Sequence, residues 1–267
     1  MPKTVGTIGG GNMAEAILQG LLQAGYTADQ LCASDPVAER REHLSRTLGV
    51  RTTDSNLEVV EGSEVVVLAV KPQHLEAAVD PLPKNGGPLY LSIAAGVTLA
   101  TLRRWLGSGA RVVRAMPNTP ALIGAGITAL ADGTGASAED LERAEVVLTS
   151  VGDVVRVPEH LLDAVTGLSG SGPAYVYLFI EALCEAGIRE GLPTLVARDL
   201  AVKTVLGAAA MVRETGEHPA LLRERVTSPG GTTAAGLAAL EDRGLRAALL
   251  AAVEAATERS RELARDA

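Results

Sequence analysis

Near the start of the chain, Gly9-Gly10-Gly11-Asn12-Met13-Ala14 has the residue types and spacing that hold a dinucleotide pyrophosphate. Gly9 permits a tight strand-to-helix turn, Gly11 lets the backbone approach a phosphate, and the small Ala14 allows close packing of helix on strand, with helix amides facing the anion. A glycine triplet alone is a weak signal, because any tight turn can require glycine. Its surroundings strengthen it. The apolar run Val5 to Ile8 precedes it, the helical pattern Ala14, Ile17, Leu18, Leu21, Leu22 follows, Gly25 stops that helix, and the run Leu31 to Ala33 leads to Asp35. A strand, helix and strand around such a turn predict dinucleotide binding.

In open sheets of this kind ligands bind outside the carboxyl ends of the strands. The turns Asp35-Pro36, Val70-Lys71-Pro72 and Ala94-Ala95-Gly96 are therefore further candidates. Asp35 has two readings, an acceptor for a ribose 2′-hydroxyl or, with Pro36, an ordinary helix start. Arg40 and Arg41, a turn later, suit either a 2′-phosphate or a solvated helix face. Lys71 emerges where a cation can hold a ribose or phosphate, although a strand exit needs no such role. Asn56 reads as a helix cap or a cofactor contact.

Two glycine- and serine-rich loops stand out in the second half, Thr166 to Tyr175 and Thr227 to Thr233. Such runs beside apolar helices mark close backbone contact or an anion site of free amides. Tight helix crossing suits the first. The second, Pro229-Gly230-Gly231-Thr232-Thr233, presents bare amides and two hydroxyls at a helix start, which suits a small carboxylate. No Ser-His-Asp arrangement, cysteine nucleophile or paired carboxylate is evident, and His43, His74, His160 and His218 lack ligand spacing, so no metal is expected. Hydride transfer from a cofactor is the chemistry left standing.

The elements that must position these residues alternate through the first half. Apolar runs at Val5–Ile8, Leu31–Ala33, Val65–Val70, Leu89–Ile93, Val112–Ala115 and Ile127–Ala131 predict strands of a parallel, doubly wound sheet, with the continuous run at 65–70 beside the cofactor strand. After Val154 to Val157 only helical periodicity remains. The fold class is thus α/β, a Rossmann-type domain over 1–158 joined rigidly to an all-helical domain over 159–267. That second part exposes enough apolar helix to call for a partner subunit.

Composition narrows the function classes. With 47% apolar residues the 267-residue chain can fill a large core, and with 2% aromatics Ala, Val and Leu must pack it. A net charge of −8 without a dense basic run argues against nucleic acid. Cys32 and Cys184, far apart in apolar patterns, read as buried thiols rather than a disulfide. Met1-Pro2-Lys3 leads straight into a strand and no apolar stretch approaches the ~18 residues of a membrane helix, so a cytoplasmic protein without membrane association is expected.

With these residues assembled, the chain resembles the 1-pyrroline-5-carboxylate reductases over essentially its full length. Gly9 to Ala14, Ala69-Val-Lys-Pro72, Ala94-Ala-Gly96, Met116-Pro-Asn-Thr-Pro120, Ala164 to Tyr175 and Val226 to Thr233 look like that family's motifs in order. The resemblance implies reduction of a cyclic imine carboxylate, 1-pyrroline-5-carboxylate, to L-proline by NADPH or NADH, the last step of proline biosynthesis. It also implies an interlocked helical homodimer, which in that family is either the whole assembly or the unit of larger rings, and a substrate site between the nucleotide domain and helical segments that include the partner's.

Carried over by the resemblance, Ile8, Gly9, Gly10, Gly11, Asn12, Met13, Asn56, Ala69, Val70, Lys71, Pro72, Ile93, Ala94 and Ala95 look like cofactor contacts. Gly231, Thr232 and Thr233 look like the substrate loop, with the Thr233 hydroxyl set against the ring nitrogen to orient the imine. Glu159 matches an acidic position near the substrate, yet an acid in a helix's first turn needs no function. Asp35 is a departure that puts a strict NADPH preference in doubt. A protonated imine is already electrophilic, so alignment and carboxylate neutralisation are the main tasks, with the proton from solvent or an ordered water. Two competing readings remain. A 3-hydroxyacid dehydrogenase would need a lysine in the first long helix of the second domain, and Ala174 to Gly187 has none. A protein that binds a dinucleotide without turnover is disfavoured by the intact Pro229 to Thr233 loop.

Overall fold

The computed structural model describes residues 1–132 and 136–265. Among them, β1 (Val5–Ile8), β2 (Leu31–Ser34), β3 (Arg51–Thr53), β4 (Val65–Leu68), β5 (Leu89–Ser92), β6 (Val112–Met116), β7 (Gly126–Asp132) and β8 (Gly152–Pro158) form one sheet. Its order is β3-β2-β1-β4-β5-β6-β7-β8, and β4 does lie beside β1. All pairings are parallel except β6 with β7, so the sheet is mixed rather than wholly parallel.

Alternate residues of β4 feed opposite faces of the sheet, as the two-residue period of a strand requires. Val65 and Val67 pack with Ile17, Leu18 and Leu21 of α1 (Asn12–Gln23) and Leu44 of α2 (Ala38–Leu48). Val66 and Leu68 pack with Val59 of α3 (Asn56–Gly62), Leu75 and Val79 of α4 (Pro72–Val79) and Leu102 of α5 (Leu99–Leu106). Leu141, Ala144, Val147 and Leu148 of α6 (Ala138–Thr149) complete the first face. With both faces covered by helices, the strand reads as a continuous apolar run. Cys32 is buried in the second cluster, where burial pushes its thiol up; Cys184 is only half-buried.

Two elements differ from the sequence reading. β3 is a short strand of Arg and Thr at the sheet edge, without the apolar signature of its neighbours. The expected loop at Thr166 to Tyr175 is helical: α7 (Leu162–Val165) runs into a π-helical turn at Thr166–Gly170, where the Ser171 amide donates to Thr166 O at 2.8 Å, and α8 (Gly172–Arg189) follows. The Thr166 hydroxyl donates to Leu162 O at 2.8 Å, so the polar residues bond back to their own helix rather than leaving it.

Two compact units result, one made of Met1–Ser171 with Glu254–Ala267, the other of Gly172–Val253. Strands nevertheless give way to helices where β8 ends at Pro158. In the second unit α8 packs on α9 (Thr194–Thr215), joined by α10 (Pro219–Arg225), α11 (Thr232–Asp242) and the first half of α12 (Leu245–Arg265). Leu178, Leu195 and Leu206 are 66%, 71% and 59% exposed, an apolar surface that the unit does not cover itself. No helix of the described residues is long and apolar enough to cross a membrane.

Candidate active site

β1 ends at Ile8, and the chain reverses at Gly9, whose φ of +95° suits glycine. An added Cβ there would lie 2.9 Å from Ala69 O, so the turn is pressed against the exit of β4. Gly9 N–H donates to Ser34 O at 2.8 Å, and Ala69 N–H to Ile8 O at 2.8 Å, which knits the ends of three strands together. Gly11 is the N-cap of α1, no side chain caps the helix, and nothing lies within 4 Å of where a Gly11 Cβ would stand. Open space at an uncapped helix N-terminus fits a pyrophosphate, which would take the unpaired first-turn amides.

Two clefts meet at the residues that leave β4. The larger, of about 590 Å³, is lined by Ile8, Gly9, Gly11, Asp35, Asn56, Ala69, Val70 and Lys71 together with Pro36, Val37, Asp54, His74, Ala77 and Ala78. The smaller, of about 210 Å³, is lined by Met13, Ala69, Val70, Lys71, Pro72, Ile93, Ala94, Ala95 and Pro117. Gly10 and Asn12 line neither. His74, Ala77 and Ala78 were legible in principle, because residues three and four apart share a helix face and α4 begins at Pro72 directly after Lys71. Pro117 follows β6 as the other lining turns follow their strands.

Hydrogen bonds hold the polar side chains around the glycine turn. Asp35 does not cap α2, whose N-cap is Val37. Its Oδ2 accepts from Gly10 N–H at 2.8 Å and its Oδ1 from Val37 N–H at 2.9 Å, which anchors the carboxylate to the glycine turn. Arg40 and Arg41 are not a loose solvated face. Arg40 Nε donates to Gly10 O at 2.9 Å and its Nη2 pairs with Glu15 at 3.0 Å, while Arg41 Nη1 donates to Asp35 O and Pro36 O at 2.8 and 3.0 Å. His43 Nε2 lies 2.7 Å from the other Glu15 oxygen. Burial pushes the Glu15 carboxyl up, but His43 and Arg40 together outweigh it and hold the group below its ordinary value.

Asn56 is the first residue of α3, and Ser55 is its cap. Asn56 Oδ1 accepts from the Ser34 hydroxyl at 2.7 Å and its Nδ2 donates to Ala78 O at 2.9 Å, so the side chain braces the cleft floor. Lys71 is the N-cap position of α4 with Pro72 first in the helix, as a strand exit allows, and it lines both clefts. Glu159 lines neither. Its Oε1 accepts from the Leu99 amide at 2.7 Å and from buried Arg114 at 2.9 Å, joining α5 and β6 to the turn after β8.

Gly231, Thr232 and Thr233 belong to the helical unit. Gly231 is the N-cap of α11, and no side chain caps that helix either. The Gly231 amide is taken by Ser228 O at 3.0 Å, which leaves the amides and hydroxyls from Thr232 onward for a ligand.

Comparison with known proteins agrees with these features. Residues 159–263 match the family described as pyrroline-5-carboxylate reductase dimerisation, and residues 4–96 the family described as NADP oxidoreductase, coenzyme F420-dependent. The pyrroline-5-carboxylate reductase of Synechocystis is 48% identical over 97% of this chain and 97% of its own. The solved structure of the Coxiella burnetii pyrroline-5-carboxylate reductase superposes with a TM-score of 0.91 at 39% identity, covering 98% of both chains. That of the Plasmodium falciparum pyrroline carboxylate reductase, with NADP bound, gives 0.88 at 30% identity and 98% coverage of both. Identity at this level over nearly the whole length places the chain in the pyrroline-5-carboxylate reductase family.

Proposed function

We propose that the protein reduces 1-pyrroline-5-carboxylate to L-proline with NADPH or NADH, the last step of proline biosynthesis, as a cytoplasmic homodimer. The observation that carries this is full-length similarity to pyrroline-5-carboxylate reductases combined with the open, uncapped glycine turn at the head of α1. The match of 159–263 to a dimerisation family and the exposed leucines of α8 and α9 support the homodimer, and the same match supports 159–267 as the dimerisation and substrate domain.

The first-turn amides of α1 would hold the pyrophosphate, Asp35 and Asn56 would shape the ribose end, and Ala69 to Pro72 with Ile93 to Ala95, which wall the smaller cleft, would take the nicotinamide. A bound nicotinamide supplies the hydride. The amides of Thr232 and Thr233 at the uncapped start of α11 would hold the substrate carboxylate, and the Thr233 hydroxyl would orient the ring nitrogen. The test follows NADPH and NADH oxidation on adding 1-pyrroline-5-carboxylate, with proline measured as product. Turnover is expected with wild type and a drop of at least tenfold in kcat/KM with Thr233→Ala. Undiminished turnover in the variant rejects the role of Thr233, and no turnover by folded wild type rejects the activity.

A further inference from the structure

We propose that the larger cleft selects the dinucleotide that carries a free ribose 2′-hydroxyl, NADH, over its 2′-phosphorylated counterpart. This rests on the dinucleotide reading above and concerns the end of the cleft beyond the glycine turn. There the lining charges are both negative: Asp35 at the end of β2 and Asp54 just after β3, the neighbouring strand. Lys71 and His74, the cationic or titratable groups of the lining, follow β4, on the opposite side of β1.

Asp35 is held where it is. Its two oxygens each accept one backbone amide, from Gly10 at 2.8 Å and Val37 at 2.9 Å, so swinging it away would strand both donors. A carboxylate oxygen has two acceptor positions, and each oxygen of Asp35 therefore keeps one for a ribose hydroxyl. A 2′-phosphate offers no hydroxyl there and brings like charge against two carboxylates.

The two arginines that flank Asp35 already have protein acceptors. Arg40 is engaged by Gly10 O and Glu15, and Arg41 is turned back through Nη1 onto Asp35 O and Pro36 O. Glu15, which faces Arg40 and His43, stays ionised at neutral pH because those partners hold its carboxyl low even against burial.

The experiment measures dissociation constants of NADH and NADPH by nicotinamide fluorescence on the full chain, without substrate. Wild type is expected to bind NADH at least tenfold tighter, with the ratio shrinking at high salt as like-charge repulsion is screened. Asp35→Ser should shift the ratio at least tenfold toward NADPH by weakening NADH and strengthening NADPH. Asp54→Asn, at an exposed position, should shift it the same way by less. Equal or tighter NADPH binding by wild type overturns the proposal even if Asp35→Ser does not fold. Binding of both cofactors with an unchanged ratio in Asp35→Ser overturns the role of Asp35, and binding of neither to folded wild type overturns the dinucleotide reading itself.

Discussion

Glu159 joins three segments through one oxygen, and its partner Arg114 is 6% exposed, so removing the acid strands a cation in the interior. Loss of one member of a buried pair costs several kcal/mol, and because Glu159 keeps 31% side-chain exposure Glu159→Gln is expected to cost about 2–3 kcal/mol. Urea denaturation measures this. A loss below about 0.5 kcal/mol with a raised KM for the imine would instead give Glu159 to the substrate, since exposed pairs contribute only that much. The family resemblance marked Glu159 as an acidic position near the substrate, but its donors lie 60 and 45 residues away, and no local pattern reveals a pairing across such spans. Asp35 was open for the same reason: as an acid before a proline it has two equally local uses, and its 2.8 Å bond from Gly10 N–H, 25 residues away, leaves no trace in a local pattern.

At the scale of elements, α1 and α2 are clamped together across the glycine turn by Glu15, Arg40 and His43. The folded Glu15 carboxyl titrates below its ordinary value of 4.5, so the folded state binds fewer protons than the unfolded chain near that pH. Its contribution to stability is therefore present above 4.5 and lost as the pH falls through the lower folded value. Denaturation midpoints of wild type and Glu15→Gln should differ at pH 7 and converge toward pH 3; a constant difference would reject the clamp. Elements buried on both faces, such as β4, were legible because burial writes itself as an apolar run. β3 was not, since an edge strand of Arg-Thr-Thr keeps polar side chains in water. The antiparallel entry of β7 was hidden too, because an apolar strand carries no mark of its direction. The π turn at Thr166–Gly170 was misleading for another reason: Thr, Ser and Gly favour loops on intrinsic preference, and here i−4 back-bonding retains the helix.

In the whole molecule, the apolar stripes of the helical unit predict association. Sedimentation should give at least twice the chain mass, and Leu206→Glu, placed on a 59% exposed leucine of α9, should shift the distribution toward the single chain. A wild-type single chain at micromolar concentration would reject the dimer. The nucleotide unit is itself assembled from two stretches far apart in the chain. Gly96, at φ +76°, lies so near the last turns of α12 that an added Cβ would stand 3.2 Å from Leu263 Cβ, and the Ser260 hydroxyl donates to Asp163 at 2.7 Å across 97 residues. Thr257 and Ser260 are both buried there. During synthesis the ribosome must therefore release the entire helical unit before the turn that ends at Gly96 receives its covering, so a nascent chain holds an unfinished nucleotide unit until its final helix emerges. A chain cut short before Ser260 would leave the Gly96 turn uncovered and Asp163 without the hydroxyl that donates to it.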